Sequence, residues 1–446
     1  MARIRTMKIR KESPSSKLLK DVAELAQPLR SAVNLDPLLE RIGNAHFVLL
    51  GEASHGTSEF YSWRRRISQR LIEERRFSFI AVEADWPDCY RVNQYIQGQS
   101  ETGISAREIL STFHRWPTWM WANEEVIELV EWLREYNDHL PAGQNKVAFY
   151  GLDVYSLWDS LYSILAYLRR EQPELLPAAR LAFQCFEPYG EDVQAYAAAT
   201  RWTNASCEKH VIDLLTKLRT SALGKHAEEG QFSAEQNAAV VKNAELYYRT
   251  MVRGGPDSWN ARDTHMTETL SRLMVHYGPT AKAILWEHNT HIGDARFTDM
   301  AGDGMVNVGQ LVREQHGEND TVLVGFSSYR GSVIAAGEWE TAMERMPLPP
   351  AISGSWDDVL HRVNAEDQLL IFESGNQAPD LAEPRGQRAV GVVYHPEREY
   401  GNYVPTILPR RYDALIHCDE TNALRPLHHV PVFEEGEPPE TYPTGL

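Results

Sequence analysis

The sequence predicts an α/β fold: a central, mostly parallel sheet flanked by helices, with a helical subdomain inserted in it. Three observations carry this. Short runs rich in Val, Ile, Leu and Phe recur, each bounded by Gly or polar residues, which is how buried parallel strands read. Amphipathic helical patterns alternate with the first of these runs, and strand–helix alternation implies α/β layering. A long middle stretch then loses the strand signal and reads as helices alone.

Taken in order, strands are expected at Phe47–Leu50, Phe79–Val82, Lys146–Tyr150, Ala283–Trp286, Val322–Phe326, Leu369–Phe372 and Ala389–Tyr394. The helix Glu59–Arg76 follows the first, with Phe60, Ile67, Leu71 and Ile72 near one face and Arg and Glu over the other. Glu124–Tyr136 is a second, with Val126, Ile127, Val130 and Leu133. The middle stretch reads as helices at Leu157–Glu171, Pro177–Phe186, Val193–Thr200, Ser206–Leu218, Ala234–Val252 and Ala261–Tyr277, the last opened by Asn260 as a cap. Met346–Ser355 and Glu434–Leu446, rich in Pro and Gly, read as loops. The chain therefore divides into a basic tail and leading helix (1–30), a first part of the α/β domain (31–156), the helical subdomain (157–278) and a second part of the α/β domain with a C-terminal loop tail (279–446).

At 446 residues and 43% hydrophobic, the chain can bury a large core, which argues against disorder. Its 62 acidic against 45 basic residues give a net charge of −17. That sign repels phosphate backbones and anionic lipid, so neither nucleic acid nor a membrane surface is the expected partner. A neutral or cationic small molecule is. No apolar run is long enough to span a bilayer. The basic N-terminus, with Arg3, Arg5, Lys8, Arg10 and Lys11, has no apolar h-region after it and is not a secretory signal. Cys89, Cys185, Cys207 and Cys418 show no C-x-x-C spacing, and so few thiols fit a reducing, cytoplasmic setting. The oligomeric state is left open.

Chemistry collects at the ends of the expected strands. Leu50-Gly51 runs into Glu52-Ala53-Ser54-His55-Gly56, and Val82 into Glu83-Ala84-Asp85. Tyr150-Gly151 runs into Asp153, and Trp286 into Glu287-His288-Asn289-Thr290-His291. Ligands of open α/β sheets bind outside the carboxyl ends of the strands. If these strands are parallel, carboxylates and three histidines share one crevice, where a histidine beside a carboxylate serves as a general base. Taken alone, Glu52 and His55 read equally as a helix cap and a turn filler, with Gly51 and Gly56 permitting the bend. His288 and His291, three apart, read as a metal pair or as core and surface histidines. Arg64, on the following helix, reads as a partner for the carboxylates or an oxyanion, or as part of a solvated face. The stretch Trp116-Pro117-Thr118-Trp119-Met120-Trp121 reads as a wall for an apolar substrate, with Trp119 and Trp121 in contact, or as core. Arg262, Asp263 and Asp85 are further candidates for contact with substrate. There is no G-x-S-x-G elbow, P-loop or G-x-G-x-x-G, so no cofactor is expected, and Ser54 is only a minor candidate nucleophile.

Leu50-Gly51-Glu52-Ala53-Ser54-His55-Gly56-Thr57 resembles the G-E-x-x-H-G signature of the erythromycin esterases. Phe79–Glu83, Phe149–Ser156, Trp259–Asp263, Trp286–His291 and Asn307–Leu311 resemble further blocks of that family, in the right order. The resemblance implies hydrolysis of a lactone ester, as in macrolide inactivation, without a required metal. Carried over by position, it places the functional residues at Glu52, His55, Arg64, Glu83, His288 and His291. Glu287 stands where the family pattern has a small residue. The wider fold resembles that of certain haem-binding lipoproteins and membrane metalloproteases. A metal-dependent hydrolase built on His288 and His291, and a haem or small-molecule binding protein without turnover, are accordingly the rival readings.

Overall fold

A computed structural model describes residues 13–189, 193–203, 206–222, 229–252, 254–373 and 378–428. The N-terminal basic cluster and the tail from Glu434 lie outside these residues. The leading helix is present at Ser16–Leu25, capped by the Ser15 side chain.

The main sheet has nine strands: β1 (Ala26–Pro28), β2 (Phe47–Leu50), β3 (Phe79–Val82), β4 (Ala148–Gly151), β5 (Ala283–Trp286), β6 (Thr321–Ala336), β7 (Met343–Leu348), β8 (Gln368–Ile371) and β11 (Ala414–Thr421). A separate ribbon pairs β9 (Arg385–Arg388) with β10 (Tyr403–Thr406). The order across the main sheet is β1-β8-β11-β6-β2-β5-β3-β4, with β7 paired to β6. From β11 to β4 every pairing is parallel, while β8, β1 and β7 pair antiparallel. Buried side chains pack against both faces of the parallel block, which explains its unbroken apolar runs.

The register sets up the site. Leu50 pairs with Trp286, Trp286 with Val82, and Val82 with Gly151. The four strands therefore end level, and the polar residues that follow leave the sheet side by side. Between β4 and β5 only helices occur among the described residues, from Leu157–Glu171 to Asp257–Tyr277, and five of them enclose an apolar cluster of their own.

Several expectations are corrected. Leu369–Phe372 is replaced by β8, which is antiparallel to β11. Ala389–Tyr394 is not a strand. It touches the fold through isolated bridges, Val390 to Ser54 and Val393 to Ala336, with Gly391 between them. β6 runs ten residues past the expected Phe326: it stays paired with β11 as far as Gly331, and Gly331–Ala336 then form a hairpin with β7. That hairpin takes in Met346–Leu348, which read as loop. Asn260 lies inside its helix, whose cap position is Pro256, and its amide reaches the loop at Gly304 and Val306 instead. Cys185 and Cys207, which the absence of C-x-x-C spacing did not single out, form a disulfide within the helical stretch. Cys89 and Cys418 are free and buried.

Neither Gly51 nor Gly56 has positive φ, so their role is not a special bend. They make room. A Cβ on Gly51 would sit 2.1 Å from Asn289 Oδ1, and one on Gly56 would sit 1.9 Å from the Ile334 carbonyl oxygen. Asn289 fastens the site to the sheet: its amide donates to Phe326 O at 2.7 Å and accepts from Phe326 N at 3.1 Å. Gly51→Ala should therefore push Asn289 off β6 and cost about 1–3 kcal/mol, as overpacking of a filled core does. Urea unfolding should show a lower midpoint with an unchanged slope. A wild-type midpoint would contradict the close approach.

Candidate active site

Glu52 leaves β2 and does not cap the next helix; that position belongs to Thr57. Its carboxylate instead bridges two side chains. Oε1 accepts from His55 Nδ1 at 2.8 Å, and Oε2 accepts from Arg64 Nη2 at 2.6 Å. A carboxylate only accepts, so His55 Nδ1 carries a proton. His55 lines a cavity of about 380 Å³, whereas Glu52 and Arg64 do not. Arg64 is fully buried, with Tyr61 at 4.3 Å and Trp286 at 4.7 Å from its guanidinium carbon. It fixes Glu52 from below and does not reach the cavity.

His288, at the end of β5, faces His55 with ring centroids 4.8 Å apart. It is the cap residue of the short helix Asn289–Ile292, and its Nδ1 accepts from the Thr290 backbone N–H. The proton is thus on Nε2, which has no hydrogen-bond partner among the described residues. Burial, then the neighbouring His55, holds His288 well below the usual histidine range. His288 therefore lines the cavity as a neutral ring.

His291 behaves oppositely. Its Nδ1 lies 2.9 Å from Asp263 Oδ1, and its Nε2 lies 3.4 Å from Glu83 Oε1. Burial lowers its affinity for a proton, but Asp263 and Glu83 outweigh burial and push it up to about 10. It is an imidazolium. Arg262 Nη1, 3.2 Å from His291 Nε2, could donate only to a neutral ring; with two carboxylates on the ring, that contact is two cations sharing anions. Trp259 stacks flat on the ring at 4.6 Å.

Glu83 ties the row together, accepting from His288 N at 2.8 Å and from Arg262 Nη2 at 2.8 Å. Burial would raise it, yet His291, Arg262 and His55 hold it well below the usual carboxylate range. Arg262 also forks onto Asp153 at 2.9 and 2.7 Å. Among the described residues no group of three or more His, Cys, Asp or Glu side chains is arranged to hold a metal ion. His288 and His291 do not converge, since Thr290 occupies one and two carboxylates the other.

Most of the sequence-derived candidates meet here: His55, Glu83, Asp85, Trp121, Arg262, His288 and His291 all line the cavity. Trp119 does not. It is buried behind Trp116, edge to face at 5.6 Å. Asp263, a weak candidate, proves to be the orienting partner of His291. Sequence reasoning missed the opposite wall, formed by Gly337–Trp339, Gly391–Val393, His395 and Arg398. No local motif marks it, because it comes from the β6–β7 turn and the Ala389–Tyr394 segment.

The family model described as erythromycin esterase matches residues 72–421, most of the chain. The chain belongs to the erythromycin esterase family. It is 25% identical to the erythromycin esterase type II of Escherichia coli over 319 residues, 67% of this chain and 73% of that protein. It is 22% identical over 418 residues to the putative hydrolase YbfO of Bacillus subtilis (strain 168), covering 88% of each. Among solved structures, a Bacillus cereus protein superposes with a TM-score of 0.78 at 21% identity, covering 93% of this chain and all of that one. A mutant of the erythromycin esterase EreC in its open conformation superposes with a TM-score of 0.66 at 17% identity, covering 95% of this chain and all of that one. These superpositions establish the shared α/β fold.

Glu287 follows β5 directly, beside His288. It is fully buried, and neither carboxyl oxygen has a hydrogen-bond partner among the described residues. Burial above all, with Glu83 and Asp263 adding to it and His291 and Arg262 opposing it, raises its pKa well above the usual value and so favours the neutral acid. A group that binds its proton more tightly when folded loses stability as pH rises from its unfolded value towards its folded one. Glu287→Gln, isosteric with the neutral acid, removes that dependence. The variant should melt higher than the wild type, by a margin that grows from pH 5 to pH 8 at up to about 1.4 kcal/mol per unit. Parallel melting curves at all pH values would show that Glu287 is ionised in the fold.

Proposed function

We propose that this erythromycin-esterase-family protein opens a bulky, mostly apolar ester or lactone by attack of water, with His55 as general base. The observation that carries this reading is the Arg64–Glu52–His55 chain, which fixes His55 through Nδ1 at the wall of a cavity that His288 also lines, the two rings 4.8 Å apart. Water gives its proton to His55 Nε2 as its oxygen bonds to the carbonyl carbon. The carbonyl electron pair moves to oxygen, and His288 Nε2–H steadies that oxyanion. As the C–O bond breaks, His291 protonates the departing alkoxide, and the proton held by His55 returns to His291 through solvent. Glu83 holds His291 charged and fixes the His288 backbone. Trp116, Trp121 and Trp339 line the same cavity and supply its apolar face.

His55→Ala should lower kcat by about 10²–10⁴-fold, the usual worth of a general base, while the protein stays folded by circular dichroism. A mass-spectrometric screen of macrolides and unrelated lactones for the gain of one water is the assay. Full turnover in the variant would remove His55 from the mechanism.

The His291 imidazolium gives a second test. Activity should fall as pH rises towards about 10, where His291 loses its proton. Asp263→Asn removes a carboxylate that holds that proton, so this alkaline limb should move about one unit or more to lower pH. An unmoved limb would assign it to another group.

A further inference from the structure

The turn after β4 holds a cavity residue that the proposed chemistry leaves unused. Tyr155 stands two residues past Asp153, where the chain enters the helix Leu157–Glu171, and it lines the cavity. Its ring receives two cations. The guanidinium carbons of Arg262 and Arg115 both lie over it, each 4.8 Å from the ring centroid. Like charges brought to one place repel unless negative charge stands with them. The face of an aromatic ring carries the negative part of its quadrupole and attracts a cation, the more so where water is excluded. Arg262 is only 3% exposed.

The two arginines serve different carboxylates. Arg262 donates to Asp153 and Glu83, and Arg115 Nε pairs with Asp85. Glu83 in turn reaches His291 and the His288 backbone. The N–H groups of a guanidinium lie in its plane, so those bonds act on the edge of Arg262. The Tyr155 ring is a separate contact, and it is anchored from elsewhere. The Tyr155 carbonyl oxygen accepts from Leu157 N at 2.8 Å and from the Tyr248 hydroxyl at 3.0 Å. The Tyr247 ring meets the Tyr155 ring edge to face at 5.2 Å. Tyr247 and Tyr248 belong to the helix Glu229–Met251 and to the apolar cluster of the helical stretch.

We propose that Tyr155 is a positioning residue through which the helical stretch sets the catalytic row: its ring face holds Arg262 between Asp153 and Glu83, and so keeps Glu83 against His291. The effect on turnover rests on the hydrolase reading; the hold of the ring on the arginines does not. Tyr155 then acts by the charge distribution of its ring. Neither its hydroxyl nor its bulk is the property that matters.

The test is a series at this position in the full chain: Tyr155→Phe, the same phenylalanine carrying one to three ring fluorines, and Tyr155→Leu. Phenylalanine keeps the ring face, leucine keeps apolar bulk without it, and fluorine drains the negative charge of the face while barely altering shape. Melting is read without substrate. Tyr155→Phe should melt close to the wild type, each fluorine should lower the midpoint, and Tyr155→Leu should lose about 1–3 °C. In turnover, kcat should follow the same order, with Tyr155→Phe near the wild type and Tyr155→Leu lower by about 3–30-fold, the worth of a desolvated cation–π contact. KM should hold steady. If Tyr155→Leu fails to fold, the fluorine series carries the test alone. Midpoints indifferent to fluorine would overturn the hold on the arginines. A kcat indifferent to fluorine, or a change confined to KM, would overturn the positioning role and leave Tyr155 a wall for substrate. A wild type that turns over no ester, with midpoints that still fall with fluorine, would sink the hydrolase reading and leave the hold standing. A His55→Ala protein that stays active and keeps the fluorine dependence would remove the base and leave Tyr155 in place.

Discussion

Four parallel strands that end at the same level are the constraint on which the rest of this protein depends. Because Leu50, Trp286, Val82 and Gly151 lie side by side, the next residues of each strand emerge as one row. No side chain in that row must stretch to meet its neighbours. Glu52, Glu83, Asp153 and His288 are all placed by backbone held in a hydrogen-bonded ladder, which fixes position more firmly than a loop could. A slip of one residue in any pair would turn that strand's polar end towards the opposite face of the sheet.

Onto this row the protein adds charge in alternation. Arg64, Glu52 and His55 form one chain, while Asp153, Arg262, Glu83, His291 and Asp263 form another. Their burial makes each ion expensive unless a partner is near, so every charge in the row fixes the next. The outcome is two histidines with opposite electrostatic character three residues apart. His288 is buried against the His55 ring and is neutral, while His291 lies between two carboxylates and is charged.

The parts of this design that sequence reveals are those written locally. β2, β3 and β5 were found to the residue, because a strand covered on both faces is apolar throughout. β11 was missed: after Ala414-Leu415-Ile416 it turns polar with His417-Cys418-Asp419, which reads as a loop although the strand continues. β1 and β7 each contain proline and lie at the margin of the sheet, where strand signals are weakest. At the site, spacing identified which residues converge but not which way they point. Arg64 is one helix away from Glu52 in either reading, and only packing against Tyr61 and Trp286 sends it beneath the carboxylate. Trp119 and Trp121 differ by two positions in an irregular turn, where no periodicity decides which faces substrate. The disulfide between Cys185 and Cys207 joins segments 22 residues apart, with no local pattern to announce it.

The long strand β6 contributes to two unlike tasks. Its first part is a central member of the sheet, and its end, from Gly331, pairs with β7 to carry Gly337, Glu338 and Trp339 to the cavity lining. The row at the strand ends and the hairpin tip that line the cavity are therefore separate pieces of chain joined by one continuous strand. The tip of that hairpin lies in a different segment from the row of strand-end residues, so exchanges there change the lining without changing that row. The scaffold is in this sense a tool with an interchangeable jaw: relatives that share its chemistry are free to diverge in diet, and an engineer wishing to retarget it would begin at residues 337–342.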